Sequence, residues 1–319
     1  MAERRSRVVL IATTLEVDAG EWNELPPRTE LMGLAGFARR QLRRLPAPVK
    51  NLLRSARHPG QALGLRRRRA ETITFVRTVA SYCNGIRGKR VLEVGSDGEG
   101  MLILEAERQF EPQEIIGINP AFPGRVLGPR SRLELVDVRS TPYSDDSFDL
   151  IVSSSAFEHI HELDRALAEM FRILKSGGYL FSHFGPIWST SYGHHLWLME
   201  DGRLYNYWNT PLPPYCHLLM PPAALAQHCR KRYGERLGPR ISDYVYNSPE
   251  QNRLFYEDYE RVVAASAFEV CVFKGYDHAE LAARYLPENL PDVLDNLKRK
   301  FPGRSHFGYD GITLLLRKA

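Results

Sequence analysis

The stretch Arg90–Gly100 reads Arg-Val-Leu-Glu-Val-Gly-Ser-Asp-Gly-Glu-Gly. Val91, Leu92 and Val94 are the apolar, β-prone residues of a buried strand. Gly95, Gly98 and Gly100 then interrupt it, and Met101, Leu102, Leu104 and Ala106 open a helical run. A strand, a glycine turn and a helix in that order aim backbone N–H groups and a positive helix end at one point, where a ligand can approach the backbone closely. Glu93 adds an acceptor beside the turn. A glycine turn can also be purely structural, so its meaning depends on the organisation of the rest of the chain.

Beyond the turn, strands and helices alternate. Strand-like runs recur at Glu114–Ile118, Leu133–Val138, Phe148–Ser153 and Tyr179–His183. Between the last two, Leu163, Ala166, Leu167, Met170, Phe171 and Leu174 recur at helical spacing, and Gly177-Gly178 ends the segment. A helix over Glu71–Ile86 precedes the first strand. Phe268–Phe273 and Gly311–Leu316 read as later strands, with a helix over His278–Lys300 between them. Near-continuously apolar strands alternating with helices predict a Rossmann-like, doubly wound α/β fold. Residues 186–266 depart from this pattern. They are rich in Trp, Tyr, His and Pro, with helices expected over Pro222–Tyr233 and Gln251–Ser266, and they read as an inserted cap over the ligand edge of the sheet.

Charge is concentrated near the start. Leu31–Ala70 holds eleven Lys and Arg and no acid, which accounts for the whole +5 balance of the 319 residues. The basic character is therefore local. Residues 1–70 read as a basic N-terminal extension, and 71–319 as the main domain. Leu31, Leu34, Ala38, Leu42 and Leu45 mark an amphipathic helix, and Val49–Ala56 a second short one. Such a surface suits contact with an anionic layer through residues 31–70, or packing on the main domain. Val8–Ile11 is too short and too soon succeeded by acids for a signal peptide. No apolar run reaches the ~18 residues that span a membrane. The four cysteines form no C-x-x-C pair, and a reducing cytoplasmic setting is expected.

The ordered set of segments resembles the class I S-adenosylmethionine-dependent methyltransferases, in the group acting on small molecules and lipids. Val91–Gly95 resembles the first motif. Asn119 stands where the second strand usually ends in an acid. Asp137-Val138, Pro142 and Asp145–Asp149 resemble the passage from the third strand to the fourth. Ala156–Ile160 and Leu174–Tyr179 complete the set. The resemblance implies a mostly parallel seven-stranded sheet with an antiparallel last strand, and S-adenosyl-L-methionine as cofactor. It implies that Glu93, Gly95, Ser96, Asp97 and Gly98 hold the methionine part and that Asn119, beside Pro120, meets the ribose. Asp137 would accept from the adenine amino group, Val138 would offer a backbone contact, and Ser153 and Ser154 would line the reacting methyl. Asp97 and Glu99 depart from the usual Gly-x-Gly-x-Gly turn, and the neutral Asn119 replaces the acid. A carboxylate at Asp97 would either bind the cofactor ammonium or crowd its carboxylate.

Methyl transfer to a hydroxyl needs positioning and a base. Six of the ten histidines lie between residues 159 and 217. His194 or His195 is the expected base, with His159 beside it. His194, His195 and His217 lack metal-ligand spacing, so no metal site is expected. Trp188, Trp197, Tyr205, Tyr207 and Trp208 suit either stacking on an acceptor or a small core for the cap. Asn119–Phe122 is similar to an element of amino-methyltransferases but stands after the wrong strand, which argues against nucleic acid as substrate. The expected function is O-methylation of a sugar, glycolipid or specialised metabolite. The alternatives are a non-catalytic cofactor-binding or regulatory protein on the same fold, and a nucleic-acid methyltransferase using the basic region.

Overall fold

The computed structural model describes residues 59–319; the helices expected within 31–56 lie outside them. In chain order the elements begin with α1 (Pro59–Tyr82), β1 (Arg90–Val94), α2 (Met101–Phe110), β2 (Glu114–Ile118), β3 (Arg125–Val126) and β4 (Ser131–Glu134). Next come β5 (Phe148–Ser154), α3 (Leu163–Ile173), β6 (Leu174–Phe184), β7 (Trp197–Glu200), β8 (Arg203–Asn206), α4 (Cys216–Leu219) and α5 (Pro222–Asn247). The series ends with α6 (Tyr256–Ala264), β9 (Glu269–Tyr276), α7 (Ala279–Arg284), α8 (Leu290–Lys300) and β10 (Gly311–Arg317). The chain divides into two compact units at Thr74/Phe75. Among the described residues no helix is long and apolar enough to cross a membrane.

Within Phe75–Ala319 the main sheet has eight strands in the order β3-β4-β2-β1-β5-β6-β10-β9. Strands β4, β2, β1, β5 and β6 are parallel, and β10 runs antiparallel between β6 and β9. This is the doubly wound sheet that the alternation predicts, with the two-residue β3 added antiparallel at one edge.

Alternate residues of each strand serve opposite faces. Leu92, Val94, Ile116 and Ile151 pack with α3, which buries Leu163, Ala166, Leu167, Met170 and Ile173. Burying each large side chain contributes about 1.5–3 kcal/mol, so α3 is held chiefly by this face. Val91, Ile115, Leu150 and Val152 face the other way, onto Val76 and Val79 of α1 and Leu102 and Ile103 of α2. The two layers leave the carboxyl ends of β1, β2, β4 and β5 at one edge.

Several boundaries differ from expectation for local reasons. α1 begins at Pro59, well before Glu71. β4 stops at Glu134 instead of Val138, because Asp137 accepts a hydrogen bond from the Arg139 N–H at 2.9 Å and turns the chain. The helix expected over His278–Lys300 is two helices, divided at Pro287. The helix expected over Pro222–Tyr233 does stop there: within α5 Gly234 leaves the helical conformation at φ +86°, and a second helical limb follows and crosses the first at Gly238, where a Cβ would strike the Cys229 and Arg230 backbone. α6 starts five residues after Gln251, since the preceding segment is tied by Asn252 to residues 157–160 and Arg253 takes a left-handed backbone at φ +59°. Residues 186–266 also contain an unexpected antiparallel hairpin, β7–β8.

Candidate active site

Gly95 adopts φ +84°, and a Cβ there would fall on the Cβ of Ala156. The turn therefore brings the segment after β5 directly against the end of β1. Gly95 and Ser96 donate their N–H groups to the Ile118 carbonyl at 3.0 and 3.2 Å, which ties the turn to β2. Asp97 does not enter the cradle. Its Oδ1 accepts from the N–H groups of Glu99 at 2.9 Å and Met101 at 3.2 Å, satisfying donors at the start of α2. Glu99 is exposed and turns out to Arg125, 3.5 Å away, while Arg125 also donates to the Gly98 carbonyl.

Glu93 is buried at the end of β1, and its Oε2 has no hydrogen-bond partner among the described residues. Burial, and then the charge of Asp97, push its carboxyl up to about 8. An orphaned acceptor beside a glycine turn that excludes a side chain fits an amino-acid moiety with a positive ammonium. Asn119 is engaged locally: Nδ2 donates to the Ser96 carbonyl at 3.0 Å and Oδ1 accepts from Ala121 N–H at 2.8 Å. Pro120 is exposed beside it. Val138 packs its side chain into the core. Asp137 is gripped by Arg139, which holds its carboxyl below the usual range. Ser153 is buried, donating to the Val94 carbonyl at 3.0 Å, and Ser154 is half-buried at the tip of β5.

The histidines separate into groups. His159, in a 3-10 turn over Phe157–His159, meets His195 edge-to-face with ring centroids 4.8 Å apart. Glu158 completes a cluster in which one ligand atom from each of the three lies within 4.8 Å of the others. His159 Nδ1 is 2.6 Å from the Glu250 carbonyl. A carbonyl only accepts, so Nδ1 carries the proton and Nε2 keeps the lone pair. His194 Nδ1 accepts from Leu196 N–H at 3.1 Å, which places the neutral ring's proton on Nε2. Burial holds His194 well below the ordinary imidazole range and lowers His195 to about 3, with His159 adding to the latter effect. His183 is stacked on Tyr276 and bonded to Thr313, apart from this group.

A narrow, partly open cleft is lined by His159, His194, His195, Trp188, Gln251 and Arg253, among others. Arg253 lies over the Trp188 ring at 5.3 Å. Most of the other cap aromatics are structural: Tyr207 and Trp208 pack on Tyr192 and Tyr285, and Arg203 covers Tyr205. Trp197 remains half exposed.

Sequence reasoning alone does not single out Glu158 or Asn252. Asn252 pins its segment to the 3-10 turn: its N–H donates to the Glu158 carbonyl, and its Nδ2 donates to the carbonyls of Phe157 and Ile160. Glu158 lies inside the motif Ala156–Ile160, so a signal is present; Asn252 carries none, because its partners are more than ninety residues away.

Residues 92–182 match the family described as methyltransferase domain. The chain is similar to a malonyl-[acyl-carrier protein] O-methyltransferase of Geobacter sulfurreducens, 32% identical over 33% of this chain and 42% of that one. It is also similar to phthiotriol/phenolphthiotriol dimycocerosates methyltransferase 1 of Mycobacterium ulcerans, 35% identical over 30% of this chain and 37% of that one. The chain thus spans less than half the length of either relative. A solved S-adenosylmethionine-dependent methyltransferase from Mesorhizobium loti aligns with 73% of this chain and 92% of its own, at 14% identity and a TM-score of 0.43. The matched segment contains the glycine turn, the parallel strands β1, β2, β4 and β5, and the 3-10 turn. Residues 92–182 of this chain therefore carry a methyltransferase domain.

Proposed function

We propose that this protein transfers the methyl group of S-adenosylmethionine to a hydroxyl of a small or lipid-linked acceptor held in the cleft beneath the cap. The observation that carries this reading is the packing of Gly95 against Ala156. It sets the cofactor turn beside the turn that bears Glu158 and His159. Glu93 and the Gly95–Gly98 turn hold the methionine moiety, Asn119 and Asp137 the nucleoside. When bound, the cofactor supplies an electrophilic methyl on sulfur. The chain's own residues orient the acceptor and remove its proton.

His159 offers its Nε2 lone pair to the acceptor hydroxyl, with His195 packed against the ring. His194 lines the cleft with an Nε2–H donor that has no partner among the described residues, suited to an acceptor oxygen. Trp188 and Arg253 give the cleft a flat apolar face and a cation, consistent with a sugar, glycolipid or specialised metabolite. The names of the two curated relatives, one an O-methyltransferase and one acting on a lipid, support an acceptor of this kind. We read residues 1–70 as the basic extension, 71–319 as the domain, and 186–266 as its cap. A peripheral contact of residues 31–70 with an anionic surface remains part of the proposal.

The test is calorimetry with S-adenosylhomocysteine, then labelled-methyl transfer to extracts fractionated into lipids, glycans and metabolites. Binding, with the label recovered as a methyl ether, is the expected result. Absence of binding at millimolar ligand overturns the reading. His159→Ala should retain binding and lose transfer by about 10²-fold or more.

A further inference from the structure

We infer that Glu158, His159 and His195 form a binding site for one divalent first-row transition-metal ion, and that the acceptor hydroxyl is activated on that ion. The inference rests on the acceptor cleft proposed above and changes how the proton is removed. Two imidazoles and one carboxylate from two separate segments converge with ligand atoms within 4.8 Å. Around a tetrahedral ion at ~2.1 Å the ligand atoms stand ~3.4 Å apart, so each atom moves inward by less than ~1 Å. Three protein ligands leave a further position for a substrate oxygen.

Three independent observations point to a cation there. Glu158 is fully buried; its Oε1 accepts the Gly185 N–H at 3.1 Å, while Oε2 has no partner among the described residues. A buried carboxylate oxygen without a donor is costly unless something positive reaches it. His159 donates Nδ1–H to a backbone carbonyl, the arrangement that orients an imidazole for metal binding through its other nitrogen. His195 reaches the cluster from a backbone at φ +46°, a conformation that costs a non-glycine residue of order 1 kcal/mol or more and that collects at functional sites. The pairing of imidazole with carboxylate favours zinc, iron or manganese over magnesium.

Coordination lowers the pKa of a bound hydroxyl. Its proton leaves to water at the open side of the cleft. The oxygen pair then forms the O–CH3 bond, and the S–CH3 bonding pair returns to sulfur. His159 acts here as a ligand, and free-base catalysis is confined to metal-free protein.

The experiment uses the full chain, stripped with EDTA and titrated with Zn2+ by calorimetry and with Mn2+ by electron paramagnetic resonance. One ion per chain is expected, with thermal stabilisation on adding Zn2+. Glu158→Gln and His195→Ala should each weaken binding at least tenfold. His161→Ala, outside the cluster, should leave it unchanged. Glu158→Gln keeps the side-chain volume, so a folded variant is obtained even if His195→Ala is unstable. Absence of stoichiometric binding below about 100 µM, or equal binding by all variants, overturns the site. Full methyl transfer by the stripped protein overturns the metal's role while leaving the proposed function standing. Metal binding without transfer to any hydroxyl does the reverse.

Discussion

Arg139 grips Asp137 from within the same turn: Nη2 lies 2.6 Å from Oδ2, and Nε lies 3.1 Å from each carboxylate oxygen. The Arg139 N–H adds a bond to Oδ1, and Nη1 reaches Glu162 at 2.9 Å. The carboxylate proposed to meet the adenine amino group is therefore already partnered. An incoming adenine must share or displace a charge-assisted bond. Arg139→Ala should bind S-adenosylhomocysteine severalfold more tightly, at a stability loss of at most about 1 kcal/mol because the pair is partly open to solvent and screened by it. Asp137→Ala should bind at least tenfold more weakly. Calorimetry on both variants decides the matter; equal weakening would make Arg139 itself a cofactor contact.

The acids in the glycine turn are explained by where they point. Asp97 caps the backbone at the start of α2, and Glu99 faces solvent. Asp97→Ala should lower stability by about 1 kcal/mol, whereas Asp97→Asn should nearly preserve it. Chemical denaturation of the cofactor-free proteins measures this. A variant that loses cofactor affinity with no change in stability would show instead that Asp97 binds the ammonium.

The core of the fold was legible because it rests on short-range regularities. The helical spacing from Leu163 to Leu174 and the apolar run Val91–Val94 each report burial directly. The edge proposed for the cofactor follows from the same regularities, since strand order places Glu93, Asn119 and Asp137 at one end of the sheet. Residues 186–266 were less legible. His159 and His195 stand 36 positions apart, and Asn252 reaches back to residues 157–160. Nothing in local periodicity encodes such contacts. The tautomers of His159 and His194 likewise depend on Glu250 and Leu196, so composition could mark a histidine-rich region without ranking its members.

Gly95 and Ala156 form a second coupled pair. Gly95→Ala adds a Cβ onto that of Ala156 and forces a side chain into positive φ. The combined penalty is about 2–4 kcal/mol. Adding Ala156→Gly removes the steric part and should recover roughly half of the lost stability. Thermal melts of the single and double variants test this. If the double variant is no better than Gly95→Ala, the turn is not seated on Ala156.

Glu93 supplies the pH-dependent prediction. Burial raises its carboxyl to about 8, against 4.5 in the unfolded chain. Between those values the native state keeps a proton that the unfolded state releases. This contribution to stability is fully present below about 4.5 and is lost as pH rises through about 8. Glu93→Gln removes the titration. The wild-type melting temperature should therefore fall relative to that of Glu93→Gln from pH 5 to pH 8.5. Parallel curves would mean that Glu93 is ionised in the native state throughout. The same group links to the cofactor. An ammonium placed beside Glu93 favours the carboxylate, so binding of S-adenosylmethionine at pH 7 should expel a proton. Calorimetry in buffers of different ionisation heat should show close to one proton released by the wild type and none by Glu93→Gln. Equal proton release from both would place the ammonium away from the strand end where this carboxyl lies.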